Sequence, residues 1–136
     1  MIVSLIRVQV APSYVLISSG NMVFEIINDF RQSRGAARLW QCDSLISSYC
    51  YEHCLAMRHA GSLYHAADCF LNGWGEAVAM CTYHHEEPAG YVVSRLIFCT
   101  LGSSFQHSEL MLSANQLGCA VFFNDGRAYV CVRAKT

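Results

Sequence analysis

The chain has 136 residues, of which 54% are hydrophobic and 14% charged, and its mean hydropathy is +0.28. This composition excludes a disordered chain and a highly charged coiled coil, and the length suits one packed domain. The nine Lys and Arg residues are scattered and the formal net charge is -1, which argues against a nucleic-acid-binding protein. Polar residues interrupt every apolar run before it reaches the roughly 18 residues of a membrane-spanning helix, so no membrane span is expected.

Residues 1-20 are interpreted as an N-terminal extension to a domain at 21-136. The extension is apolar, but Arg7 lies inside the apolar stretch instead of before it, which is the wrong order for a secretory signal peptide. Val8 to Val10 have the character of an added edge strand.

Two helices are predicted in the first half of the domain. Helical spacing of apolar residues predicts one from Asn21 to Ser33, before a stop at Gly35. A second is predicted from Ser44 to Ala60, with Asp43 as its N-cap and Gly61 as its end. One face of this second helix is expected to be buried, and it comprises Leu45, Ile46, Tyr49, Cys50, His53, Cys54 and Met57.

Periodicity is lost between Ser62 and Glu87, which predicts a long irregular segment. Such loops in compact domains are usually functional or disordered, and this one is too apolar for disorder. Its large apolar residues are Tyr64, Phe70, Leu71 and Trp74. A third helix is predicted from Ala89 to Leu101, and a short one around His107 to Leu112.

The chain is predicted to close with a β-hairpin turning at Asp125-Gly126. A two-residue turn there places Phe123 opposite Ala128 and Ala120 opposite Cys131. Cys119 and Cys131 then face opposite sides of the hairpin and cannot bond to each other. A bulged turn would shift this register and reopen the question. The eight cysteines are interpreted mainly as reduced, small core residues, because a disulfide framework usually belongs to a shorter chain with a poorer core.

Histidines are the first candidates for chemistry, because a neutral imidazole binds zinc or relays protons near pH 7. His53 lies beside Cys50 and Cys54 on one helix face, but no fourth metal ligand is indicated, so a packed helical histidine is favoured. The run His84-His85-Glu86-Glu87 is interpreted as a solvated loop. His65 and His107 each lie where irregular and regular structure are expected to meet, and spacing alone supports a shared site only weakly.

An ordered set of motifs carries a family resemblance over about residues 21-134. The set consists of Asn28-x-x-Arg31, Gly61-Ser62-Leu63-Tyr64-His65, Gly75-Glu76, Ser104-x-x-His107 and Leu117-Gly118-Cys119. In order and spacing it resembles the CAP superfamily, which comprises cysteine-rich secretory proteins, antigen 5, plant pathogenesis-related proteins and bacterial single-domain members. The pattern is most similar to that of the bacterial type.

The resemblance implies an α+β fold, an α-β-α sandwich with a central antiparallel sheet flanked by helices. It implies a cleft in which His65 and His107 hold zinc or another divalent metal, with Glu76 as a supporting group. It also implies a secreted, extracellular protein, whereas the placement of the cysteines favours a reduced setting. The chain departs from the family pattern at three residues: Ala77 replaces an asparagine, Leu101 replaces a tryptophan, and Ser104 falls where some members carry a second glutamate. The spacing between Glu76 and His107 is also longer than in typical bacterial members, which indicates an insertion around Thr82 to Pro88.

Three functions remain open at this point. The first is a binding module for a metal or small ligand, and the second is a metal-assisted hydrolase with Glu76 as general base. The third is an interaction domain for a lipid or protein partner, using apolar residues between Tyr91 and Phe98. Against all three stands a structural interpretation, in which His65, Glu76 and His107 form a buried hydrogen-bonded cluster that ties loops to the sheet.

Overall fold

A computed structural model describes residues 13-67 and 73-136, with side chains from residue 20 onward. The elements in chain order are α1 (Ser13–Ser33), α2 (Ser44–Ala60), β1 (Trp74–Thr82), α3 (Ala89–Ser94), a π-helical segment (Arg95–Leu101), α4 (Phe105–Ser113), β2 (Gln116–Asn124) and β3 (Arg127–Lys135). The α+β prediction is confirmed. The predicted edge strand at Val8 to Val10, and the part of the predicted loop at residues 68-72, lie outside the described residues.

The three described strands form one antiparallel sheet in the order β1-β3-β2. The hairpin register is as predicted, with Phe123 opposite Ala128 and Ala120 opposite Cys131. Asp125 and Gly126 both have positive φ, 48° and 79°, which is the geometry of a type I′ turn. The turn chemistry therefore fixes which side chains of β2 and β3 face each side of the sheet.

Helices cover both faces of this sheet. On one face, α1, α3, the π-helical segment and α4 pack on Ala77, Cys119 and their neighbours on alternate strand positions. On the other face, α2 packs on Ala120, Cys131 and the neighbouring side chains that point the same way. Cys119 and Cys131 thus lie on opposite faces, as the register predicted, and the result is an α-β-α sandwich.

The Asn28-x-x-Arg31 motif ties the segment after α1 to the rest of the domain. Asn28 donates to the Leu39 carbonyl and accepts from its N–H, both at 2.8 Å. The buried Arg31 guanidinium donates to the Ala37 carbonyl at 2.8 Å and to the Met111 carbonyl at the end of α4 at 2.6 Å. The motif is therefore a structural clasp and not part of the histidine cluster.

The caps of α2 are as predicted, but its buried face is narrower. Asp43 accepts the Ile46 N–H at 2.8 Å, and Gly61 ends the helix at φ 70°. Only four of the seven expected residues are fully buried, namely Cys50, His53, Cys54 and Met57. Leu45 and Tyr49 are 60% and 45% exposed, because each lies one residue, about 100° of rotation, away from the stripe that meets the sheet.

One predicted boundary and one predicted loop were wrong. Helix α1 begins at Ser13, well before Asn21, because Gly20 lies inside the helix without ending it. The segment predicted as irregular between 62 and 87 contains β1. Residues 77-81 of this strand are apolar on both faces, with Ala77 and Ala79 buried in one core cluster and Val78 and Met80 partly buried against the other, so the sequence lacks the alternation that marks a half-exposed strand.

The third predicted helix has the expected extent, Ala89 to Leu101, although its second half is wound as a π-helix. The short helix also forms, somewhat longer than predicted, as α4. Among the described helices, none has the length and apolar character needed to cross a membrane.

Candidate functional site

The centre of the site is the Glu76 carboxylate on β1. Glu76 lies directly opposite Arg133 of β3 in the ladder, on the face that α2 covers. Its side chain has 0% exposure, and its Oε2 accepts a hydrogen bond from Arg133 Nε at 3.0 Å. Burial is the largest single effect on the pKa of Arg133 and lowers it, but the bonded Glu76 carboxylate together with the nearby Cys50 and Cys131 thiols gives a net rise in that pKa. Glu76 and Arg133 therefore form a buried ion pair.

The second oxygen of Glu76 holds the segment that carries His65. Oε1 lies 3.0 Å from His65 Nδ1 and accepts the Ala66 N–H at 3.0 Å. The side chain of His65 is 43% exposed, whereas that of Glu76 is completely buried. The carboxylate thus connects an internal cation to a histidine at the surface.

His53 and Arg133 belong to this site although sequence analysis did not place them there. His53, on α2, has its Nε2 at 3.8 Å from Glu76 Oε1 and at 2.6 Å from the Tyr64 carbonyl oxygen. Its ring also meets the Tyr64 ring edge-on at 5.0 Å. Recognition of β1 as a strand would have indicated Arg133, since cross-strand neighbours share a face.

His107 lies on α4 and is partly buried. Its pKa is lowered, first by burial and then by the neighbouring charge of His65. A hydrogen bond joins His65 to Glu76, whereas the electrostatic effect of His65 on the His107 pKa is what links His107 to them.

The described residues contain no group of three or more His, Cys, Asp or Glu side chains arranged to hold a metal ion. Glu76 already accepts from Arg133, His65 and Ala66, so it suits the role of a group that orients a neighbouring side chain. Any metal site among these residues would therefore rest on the imidazoles of His65 and His107, with Glu76 behind His65.

The other histidine and glutamate candidates lie apart from the cluster. Glu87 pairs with Arg95 at 2.6 Å, and Glu86 lies 3.7 Å from His85. The rings of His84 and His85 stack at 4.7 Å in an exposed segment. The interpretation of this run as a solvated loop is confirmed, and neither glutamate supplies the second carboxylate that is replaced at Ser104.

The cysteines of α2 do not point to a metal site either. Cys50 donates to the Gly118 carbonyl at 3.5 Å, and Cys54 donates to the Ala120 carbonyl at 3.7 Å. Both behave as small core residues packed on β2. All seven cysteines of the described residues are free thiols, and Cys69 lies outside that range.

The apolar stretch between Tyr91 and Phe98 is mainly core. Val92, Val93, Leu96 and Ile97 have 0% exposure. Tyr91, at 71%, and Phe98, at 38%, are the exposed large residues of the stretch. Core packing therefore accounts for most of its hydrophobicity.

Comparison with known proteins supports the fold and no more. The sequence matches no protein-family model and no curated protein. The structure is similar to a crystal structure of NaASP2 with Zn2+, with a TM-score of 0.61 at 14% identity over 90% of this chain and 82% of that chain. It is also similar to Na-ASP-1, with a TM-score of 0.60 at 13% identity over 83% of this chain and 37% of that one. Both are CAP, or venom-allergen-like, proteins, so the chain has a CAP-like fold. The bacterial-type assignment stays a prediction.

Proposed function

We propose that the protein is a CAP-like binding module in which His65 and His107 bind a divalent metal ion, with zinc as the first candidate. The observation that carries this proposal is the hydrogen bond of 3.0 Å between His65 Nδ1 and Glu76 Oε1. A carboxylate bonded to one ring nitrogen fixes the tautomer of a histidine and makes its other nitrogen a better metal ligand. A bound ion would supply a Lewis acid and orient a small ligand.

The environment of Glu76 supports this role. The Arg133 guanidinium holds the carboxylate from the interior side, so the position of the His65 ring is defined by a group that is itself fixed. The lowered pKa of His107 keeps that ring neutral over a wider pH range, and only a neutral imidazole binds a metal. Zinc in the NaASP2 crystal structure adds weak support, since the two folds are alike.

The hydrolase alternative is disfavoured by the same geometry. A general base must reach the water that it deprotonates. The Glu76 side chain has 0% exposure, and both of its oxygens already accept hydrogen bonds. Glu76 is better explained as a positioning residue, so a screen for peptide or ester hydrolysis at saturating zinc should show no rate difference between wild type and Glu76→Gln.

Calorimetric zinc titration of the reduced protein tests the proposal. Wild type is compared with the His65→Ala/His107→Ala double variant and with a matched control, His84→Ala/His85→Ala, which also removes two imidazoles. The free thiols are common to all three proteins, so the difference between titrations reports the histidines. We expect binding of micromolar affinity or better in wild type and in the control, and its loss in the His65/His107 variant, with circular dichroism verifying that each protein is folded.

Equal titrations of all three proteins would refute the metal site and leave the structural interpretation of the cluster. The search would then move to a small-ligand, lipid or protein partner, where Tyr91 and Phe98 offer the exposed aromatic surface. In line with the family resemblance, the proposal includes an extracellular location, which is tested by measuring secretion of the full-length gene product.

A further inference from the structure

A second candidate site lies at the opposite edge of the sheet from Glu76. A cleft of about 550 Å3 opens between the first turns of α2, the edge of β2 and residues 20-21 of α1. Two thiols line it, those of Cys42 and Cys119, and their Sγ atoms are 3.9 Å apart. Cys42 lies just before the N-cap of α2, and Cys119 lies within β2.

Ser47 is hydrogen-bonded to both members of this pair. Its Oγ accepts the backbone N–H of Cys119 at 3.0 Å, which satisfies a donor on the edge strand β2. Because the oxygen accepts there, its own proton is available to Cys42 Sγ, which lies 3.2 Å away. The Cys42 sulfur thus has a hydroxyl donor and a thiol donor within reach.

The pKa values of the two thiols are shifted in opposite directions. The hydrogen bond from Cys119 is the largest of the effects that lower the pKa of Cys42 to about 6, in spite of its partial burial. Burial raises the pKa of Cys119 well above its ordinary value. At neutral pH the pair therefore consists of a thiolate at an accessible position and a protonated thiol behind it, which is the division between an attacking and a resolving cysteine.

We propose that Cys42 and Cys119 form a thiol–disulfide exchange site that reduces small uncharged disulfides bound in the cleft. The Cys42 thiolate attacks one sulfur of the disulfide R–S–S–R, the S–S bond breaks, and one RS⁻ leaves and takes a proton from solvent. The Cys119 thiol then gives up its proton and attacks Cys42 Sγ, releasing the second RS⁻, which is protonated in turn. The disulfide is reduced to two thiols, and Cys42 and Cys119 are oxidised to a disulfide.

The surroundings of the pair fit this substrate class. Apart from Glu52, the cleft is lined by uncharged side chains, including Ser44, Ser48, Tyr51, Leu55 and Ala120. The negative charge of Glu52 disfavours anionic disulfides. Closing the pair requires the sulfurs to approach from 3.9 Å to about 2.05 Å, and Cys42 lies outside the helices and strands whereas Cys119 lies within β2.

The test uses 2,2′-dithiodipyridine at pH 6, where ordinary thiols are protonated. The starting protein carries Cys69→Ser and Cys99→Ser, which removes the exposed Cys99 and the undescribed Cys69. We expect a fast release of two pyridine-2-thione molecules per chain, and peptide mapping by mass spectrometry should find a Cys42–Cys119 disulfide without a retained pyridyl group. Adding Cys119→Ser should limit the release to one molecule and leave the adduct on Cys42. Adding Cys42→Ser should slow the reaction at least tenfold.

Four further variants keep the test decisive. Cys42→Ala and Cys119→Ala repeat the comparison in case a serine disturbs folding, and Cys81→Ser, at another partly buried thiol, should retain the release of two molecules. Ser47→Ala should move the midpoint of the rate against pH to a value above 6, which a merely structural role would not do. A fast phase that survives Cys42→Ser, or a release of two molecules by the Cys119→Ser protein, would overturn the proposal.

Discussion

Glu76→Gln is the substitution that probes the candidate metal site most directly. It keeps the shape of the side chain but replaces the carboxylate with a neutral amide whose –NH2 group is a donor. Glu76 faces donors on both sides, Arg133 at 3.0 Å and the pair His65 and Ala66 at 3.0 Å each. Whichever way the amide turns, its –NH2 group meets a donor.

The cost follows from burial. A hydrogen bond to a charged group is worth about 1.5–3 kcal/mol, and removing one partner of a buried ion pair costs about 3–5 kcal/mol. The side chains of Glu76 and Arg133 are 0% and 9% exposed, so solvent compensates little. Because the glutamine oxygen still accepts from one side, we expect the free energy of unfolding to fall by about 3 kcal/mol.

Urea unfolding followed by circular dichroism measures this loss, with an unchanged m-value indicating that the unfolded state is the same. Glu86→Gln is the matched control, since its side chain is 78% exposed and should change stability by about 0.5 kcal/mol or less. A loss in Glu76→Gln no larger than that of the control would refute the buried ion pair as a stabilising anchor for His65. A second readout is zinc affinity, which should fall about 10–100-fold when the carboxylate behind the ligand is lost.

Three further predictions concern stability. Asp43→Ala removes the 2.8 Å bond to the Ile46 N–H and should cost about 1 kcal/mol in thermal or urea unfolding. Gly118→Ala would place a methyl group 2.6 Å from Ile46 Cβ and should cost about 1–3 kcal/mol, whereas Gly90→Ala, with nothing within 4 Å, should leave stability unchanged or slightly raised. The lowered pKa of His107 means that the unfolded state binds its proton more readily, so the stability contribution is present above the unfolded pKa of about 6.5 and is lost as pH falls below it. His107→Gln should reduce the slope of stability against pH in that window, and an unchanged slope would contradict the assignment.

The elements that were predicted correctly are those with local signals. Asp43 and Gly61 mark the ends of α2 through capping and left-handed geometry, and Asp125-Gly126 fixes the hairpin register. Strand β1 has no comparable signal. It pairs along its whole length with β3 at the far end of the chain, so no turn marks it, and residues 77-81 are apolar on both faces, so no alternation of apolar and polar residues reveals it.

The residues of the candidate site likewise divide into those found from the sequence and those missed. His65, Glu76 and His107 were identified through the family resemblance, because their spacing alone carries little information. Arg133 and His53 were missed, since Arg133 is 57 positions away from Glu76 along the chain and meets it only through the β1–β3 ladder. A residue whose role depends on a long-range strand pairing is found from sequence only when both strands are recognised.

The two proposed sites are separated by the architecture of the sheet. Glu76 lies on β1 and faces α2, whereas Cys119 lies on β2 and faces α1, with β3 between the two strands. Helices pack on both faces of the sheet, so there are two core clusters, and each proposed site lies at the margin of a different one. Oxidation of Cys42 and Cys119 breaks no hydrogen bond of the Glu76 cluster, since that cluster is held by Arg133 and by the segment at His65 and Ala66. The zinc titration and the disulfide reaction therefore test independent parts of the molecule, and the failure of one leaves the other standing.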